Sequence, residues 1–155
     1  MSRLGDAYMK RILLLSAAAL IVAVPAHAKG KGSKWMDGTA VGLPAGAKVA
    51  VVSGDPSKDG PFVVRIKMPA NYTVPPHHHP GDEVVRVTTA GALTYGMGDK
   101  VNASNSAKLE KGYHVTMAAN MNHWVTTTDP LTVQVNGNGP FAIVYVNPAD
   151  DPRKK

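Results

Sequence analysis

Three histidines stand in a row, His77-His78-His79, behind Pro75-Pro76 and ahead of Pro80-Gly81-Asp82-Glu83. Imidazole is a common transition-metal ligand, so the first question is which of the three can bind together. In an extended chain successive side chains alternate faces, which sends His77 and His79 to one side and His78 to the other. The Pro80-Gly81 turn then returns the chain, and Glu83 opens a valine-rich segment at the parity that sets its carboxylate beside the two imidazoles. The chain has only two glutamates, Glu83 and Glu110, and six histidines. By composition alone His-x-His-x3-Glu would arise about three times in a thousand. The alternative is a histidine tract in an exposed proline-rich loop that takes up metal loosely or not at all. Further along, Gly112 to His123 offers a matching context: a glycine turn, a strand, an asparagine-marked turn, and a histidine opening the next strand.

The elements around these residues read as short strands. From Lys48 onward, runs rich in valine, threonine and aromatics alternate with turn residues about every ten positions. The runs are Ala47 to Ser53, Phe62 to Met68, Glu83 to Thr89, Ala92 to Gly96, Tyr113 to Ala118, His123 to Thr127, Leu131 to Val135 and Phe141 to Val146. The turns include Gly54-Asp55-Pro56, Gly98-Asp99, Asp129-Pro130 and Asn136-Gly137-Asn138-Gly139-Pro140. No sustained helical period interrupts them, so an all-β sandwich, jelly roll or small antiparallel barrel is expected. Residues 29–46 read as an irregular or strand-like arm and 148–155 as a polar tail.

Composition narrows the chemistry. The chain has 155 residues and no cysteine, which excludes disulfides, thiolate nucleophiles and any sulfur-ligated metal. The net charge of +6 owes much to Lys29, Lys31 and Lys34 and to Arg153, Lys154 and Lys155, so no nucleic-acid partner is expected. Residues 1–28 have a basic start at Lys10-Arg11, an apolar run from Ile12 to Val24 and a small-x-small end at Ala26-His27-Ala28. They read as a signal peptide cleaved after Ala28, with export to the periplasm or beyond. A membrane anchor is the alternative, but the run is well short of the roughly 20 residues a spanning helix needs. Met9 fits the start of such a leader better than Met1. The mature chain would keep 127 residues and a charge of +4, with no membrane partner.

The pattern resembles the cupin superfamily, whose two motifs run G-x5-H-x-H-x3-E-x6-G and G-x5-P-x-G-x2-H-x3-N. Asn71 stands at the first opening glycine, with His77, His79 and Glu83 at the ligand positions; Gly112 opens the second motif, with Ala118 for proline, Asn120 for glycine and His123 at the histidine. Asparagine tolerates positive φ next best to glycine, so both turns keep their geometry. The chain departs at Ala90, with the closing glycine one residue late at Gly91, and at Thr127 in place of the final asparagine. The late glycine leaves room for a β-bulge in that strand. The resemblance covers residues 47–147 and is similar to the small exported single-domain bacterial cupins, on the strength of Pro75-Pro76-His77, Gly96-Met97-Gly98-Asp99 and the ending from Gly139 to Arg153.

The resemblance implies a cupin-type double-stranded antiparallel β-barrel, or jelly roll, holding one divalent metal ion (Fe, Mn, Ni, Co, Cu or Zn) by His77, His79, Glu83 and His123. Three neutral imidazoles and one carboxylate leave a divalent ion near +1 with open positions if it is six-coordinate, a site made for reactivity. A metal-dependent, dioxygenase-like enzyme acting on a small organic substrate is the first expectation. A non-catalytic periplasmic module for a small ligand or metal is the other. The pocket candidates beyond the ligands are Gln134, Tyr95, Tyr145, His114 and Arg65, and a buried Gln134 or tyrosine beside the metal would favour chemistry. Alternation weighs Gln134, Arg65 and Lys67 towards a solvated face. His78 and His114 read as surface or supporting residues, and Trp35 and Trp124 as packing or interface anchors. Exposed strand edges make a homodimer the candidate assembly.

Overall fold

The structure, a computed structural model, describes residues 34–155. The signal-peptide reading of residues 1–28 lies outside the described residues. Among those described, the strands are β1 (Met36–Asp37), β2 (Lys48–Ser53), β3 (Gly60–Met68), β4 (Thr73–His78), β5 (Glu83–Val87), β6 (Ala92–Met97), β7 (Ser106–Glu110), β8 (His114–Met117), β9 (His123–Thr127), β10 (Leu131–Gly139) and β11 (Val144–Tyr145). They form two sheets, ordered β1-β2-β3-β10-β5-β8 and β11-β4-β9-β6-β7. Every strand pair is antiparallel. The expected all-β jelly roll is what forms.

Alternation drives the packing. In β3 the residues Phe62, Val64, Ile66 and Met68 are buried while Arg65 and Lys67 are exposed, and in β10 Leu131, Val133 and Val135 are buried. These faces meet Val74, Leu93, Val125 and Tyr145 of the other sheet to make one core. Each large side chain buried there contributes about 1.5–3 kcal/mol, which is why the two sheets stay together.

Several local expectations are corrected. The glycine-rich stretch Asn136 to Gly139 continues β10 as a strand, pairing residue for residue with β3 as far as Gly139 opposite Gly60. Its glycines serve close approach: a Cβ on Gly137 would lie 2.9 Å from the Phe62 ring, and one on Gly139 would run into the Lys58 carbonyl. The run Phe141 to Val146 shrinks to Val144–Tyr145, because Phe141 leaves the ladder and donates its N–H to the Pro56 carbonyl. Strand β7 gave no sequence signal, since only Leu109 of its five residues is buried. Strand β4 was disguised by Pro75 and Pro76, which cannot donate to a ladder.

Both chain ends of the described region fold onto the sheets. Trp35 is half-buried with the Lys67 ammonium 4.1 Å from its ring centre. Residues 148–155 carry two 3₁₀ turns, Pro148–Asp150 and Pro152–Lys154. Asp151 is buried and clasps Arg153, whose Nη2 also donates to the Ile143 carbonyl.

Candidate metal centre

Strand β4 delivers its histidines through an irregularity. Thr73 and Val74 pair with Thr126 and Val125, but the next Cα partner of His123 is His77, so β4 holds one residue more than β9 across that step. Pro75 and Pro76 have no N–H to lose there, so the bulge forfeits no donor. Its effect is on facing: Val74 and His77 are both buried although they stand three positions apart, which strict alternation forbids. From His77 onward alternation resumes. His79 is buried, and His78 lies half-buried on the other side with its Nδ1 3.0 Å from the Asn122 side-chain oxygen.

The other two residues open their strands. Glu83 begins β5 after the turn at Gly81-Asp82, and Asp82 holds that turn by accepting the Ala119 N–H at 2.8 Å. His123 begins β9 after the left-handed Asn120 (φ 59°), whose N–H donates to the His79 carbonyl at 2.8 Å. Asn71, with φ 54°, does the same work ahead of β4. The two asparagine-for-glycine replacements therefore sit where positive φ is required.

The four side chains converge. His77, His79, Glu83 and His123 are exposed by only 4, 3, 7 and 2%, and one ring nitrogen from each of the three histidines lies within 4.8 Å of the others. Ring centres are 4.4 Å apart for His77 and His123, 5.0 Å for His77 and His79, and 5.3 Å for His79 and His123. Glu83 Oε2 lies 3.2 Å from His79 Nε2 and 3.5 Å from His123 Nε2.

Backbone carbonyls fix the orientation of all three rings. His77 Nδ1 donates to the Pro75 carbonyl at 2.7 Å, His79 Nδ1 to that of Ala142 at 2.8 Å, and His123 Nδ1 to that of Met121 at 2.9 Å. A carbonyl can only accept, so the proton of each neutral ring sits on Nδ1 and the Nε2 lone pair points inward. His79 Nε2 is buried with no hydrogen-bond partner, despite the nearby carboxylate. There a lone pair meets a lone pair, which is costly unless a cation lies between them. The donor set thus fits a divalent metal held by His77, His79, Glu83 and His123.

The charge states agree. Burial, then the neighbouring His123 and His79, push the His77 pKa down to about 3, so it stays a neutral ligand. Burial works to raise Glu83, while hydrogen bonds and positive charge at His123 and His79 would hold it well below the usual carboxylate range; with those Nε2 atoms unprotonated, that charge has to come from a cation. The site cavity is about 40 Å³, lined by His77, His79 and Glu83 with Leu43, Ile66 and Val74 among the apolar residues. That admits an ion and a water or two, not an organic molecule.

The remaining candidates are placed apart from the ligands' donor atoms. Gln134 lies half-buried in the row Arg65, Gln134, Arg86 across the sheet, on the face opposite Val133 and Val135, and bonds Asn136 at 3.1 Å. Arg65 is exposed, and His114 is exposed beside Arg86. Tyr95 packs at the core edge and lines a separate surface cavity with Met97 and Ser104. Tyr145 does reach the centre, its ring 5.9 Å from that of His77, but its hydroxyl donates to the Gly42 carbonyl at 2.8 Å. Trp124 is buried at 1% exposure. The sequence offered Phe141 only as the start of a strand, yet it stacks on His79 with ring centres 4.3 Å apart and planes 18° from parallel. A lone aromatic after Gly-Pro carries no periodic signal that would have revealed it.

No protein-family profile matches the chain, and no curated protein matches it. Solved structures do. The polyketide cyclase RemF from Streptomyces resistomycificus superposes with a TM-score of 0.63 at 14% identity, over 79% of this chain and 86% of that one. The DMSP lyase DddQ from Ruegeria pomeroyi gives 0.59 at 21% identity, over 75% of this chain and 62% of its own. A cupin superfamily protein from Desulfitobacterium hafniense gives 0.50 at 10% identity, over 59% and 76%. With two antiparallel sheets of this order and these neighbours, the chain has the cupin fold.

Proposed function

We propose that the chain is an exported metal-dependent enzyme holding one divalent transition metal through His77, His79, Glu83 and His123 and acting on a small organic substrate, with dioxygenase-like chemistry. The observation that carries the metal is the set of three inward Nε2 lone pairs, each fixed by a carbonyl on Nδ1, facing the buried Glu83 carboxylate. When bound, the metal supplies open positions that polarise a substrate or bring dioxygen to it. The chain's own residues orient the ligands and exclude bulk water with Leu43, Ile66, Val74 and Val125. Dioxygenase-like chemistry suits a site in which, among the described residues, no further acid or base faces the ligands, because it draws on the metal more than on protein proton transfer.

The same scarcity favours a second reading, a non-catalytic module that holds metal or a small ligand. Gln134 lies on the far face and the Tyr145 hydroxyl is engaged with Gly42, so neither expected helper is free at the centre. Elemental analysis of the untagged protein beside a His77→Ala/His123→Ala double variant separates metal site from no site. Near one equivalent in the parent and none in the variant is expected; equal, substoichiometric metal in both would overturn the proposal. Oxygen uptake after anaerobic reconstitution, with enolic, phenolic and thiol substrates, separates enzyme from module.

A further inference from the structure

The organic ligand needs room that the 40 Å³ metal cavity lacks, and the structure offers it next door. A second cavity of about 300 Å³ opens against β2 and β3, lined by Val49, Val51, Phe62, Val64 and Phe141, with Ala40 and Val41 at its lip. Its volume is at the lower end of the roughly 300–1,000 Å³ of small-molecule sites. Leu43 and Ile66 line both cavities, so the partition between them is a single layer of side chains. Phe141 belongs to that partition, since it faces the large cavity, packs edge-on to Phe62 at 5.0 Å and stacks on His79. Ala142, which also lines the large cavity, provides the carbonyl that orients His79.

We infer that this side cavity is a binding site for an uncharged, hydrocarbon-bodied small molecule, and that Phe141 and Ala142 couple its occupancy to the metal ligand His79. The charge class follows from the polar groups at the rim. Asp151 already accepts from Arg153 Nε at 2.8 Å and Nη2 at 2.9 Å, and the Ser57 hydroxyl donates to Asp55 at 2.7 Å. Neither offers an unanswered charge to a ligand, and the remaining lining is apolar. A flat aromatic or branched aliphatic body matches a slot walled by valines and two phenylalanine rings. The inference goes beyond the proposed function: a ligand in this cavity lies one layer of side chains from the metal site, and its binding does not require the metal.

The test therefore uses chelator-treated full-length protein expressed with its own leader, so that a failure of the metal reading leaves it intact. N-phenyl-1-naphthylamine, which is neutral, is expected to bind saturably, and its sulfonated analogue 8-anilino-1-naphthalenesulfonate at least tenfold more weakly. Ala40→Trp and Val41→Trp, both at exposed lip positions, are expected to weaken the neutral probe at least tenfold while leaving the unfolding midpoint unchanged. During titration of the parent, the imidazole ¹⁵N resonances of His79 are expected to shift more than those of His123. No saturable binding, equal or tighter binding of the sulfonate, or binding untouched by both lip variants would each overturn the site. A saturated cavity with an unmoved His79 would overturn the coupling.

Discussion

Replacing Glu83 by glutamine should stabilise the metal-free protein and shrink the stabilisation that metal confers. In the metal-free parent at about pH 8.5, where an ordinary imidazole is neutral, the carboxylate faces the lone pairs of His79 and His123 at 3.2 and 3.5 Å with no proton between them. A glutamine amide is isosteric and brings two N–H groups to the same place. At about 0.5–1.5 kcal/mol for each neutral hydrogen bond gained, Glu83→Gln should stabilise the metal-free protein by about 1–3 kcal/mol. Metal cuts that advantage by about 2.3 kcal/mol. The parent gains about 2.7 kcal/mol when free metal is about 100 times its Kd, whereas a variant binding a hundredfold more weakly gains only about 0.4 kcal/mol at that concentration. Urea unfolding of both proteins, with chelator and with Co(II) or Zn(II), reads these differences from midpoints at constant slope. A metal-free variant less stable than the parent would mean that Glu83 is paired with a protonated imidazole in the absence of an ion. An undiminished metal-induced gain would mean that Glu83 is no ligand. Either result refutes the lone-pair argument.

Three further outcomes are expected. Thr127→Val keeps the shape but removes the hydroxyl that accepts the buried Tyr72 N–H at 3.1 Å and donates to the Pro69 carbonyl at 2.7 Å. It should cost about 1–3 kcal/mol by urea unfolding, with Thr127→Ser far milder. Gly96→Ala would drive a Cβ into the Trp124 ring, and overpacking of about 1–3 kcal/mol should appear as a lower midpoint, which an unchanged midpoint would contradict. At high pH, burial raises the pKa of Tyr72 above the usual tyrosine value and that of Tyr145 to about 12, while their hydroxyls donate to the Pro44 and Gly42 carbonyls. The folded state favours the protonated phenols, so this contribution is complete below about pH 10 and is lost as pH rises towards 12. Tyr145→Phe should flatten that decline between about pH 10 and 12, measured by unfolding midpoints across the range.

The first cluster of candidate donors was legible because its signal is local. His77, His79 and Glu83 lie within seven residues, and the turn chemistry of Asn71 and Asn120 survives translation into backbone angles. Binary patterning likewise fixed the inner face of β3 and the outward lean of Gln134. What escaped was long-range. The glycines at 137 and 139 look like a turn in sequence, and only the Phe62 ring and the Lys58 carbonyl across the sheet show them to be strand. Phe141 stacks on a residue 62 positions away, and Ala142 acts through its carbonyl, which any residue type supplies. The hydroxyl of Thr127 makes itself useful through Tyr72 and Pro69, partners that no motif position predicts.

The irregular step at Pro75-Pro76 makes the spacing ahead of the ligands elastic. Because the prolines lack amide hydrogens, losing one of them by an in-frame deletion would straighten β4 into ordinary register, with His77 still opposite His123 and still facing inward. A deletion between His77 and Glu83 has no such escape, since it breaks either the shared face or the return of the carboxylate. Insertions and deletions should therefore accumulate just upstream of the histidines and stop at His77. Searches for related sites do better to leave the gap between the preceding glycine-like turn and the first histidine free, and to count strictly only from that histidine onward.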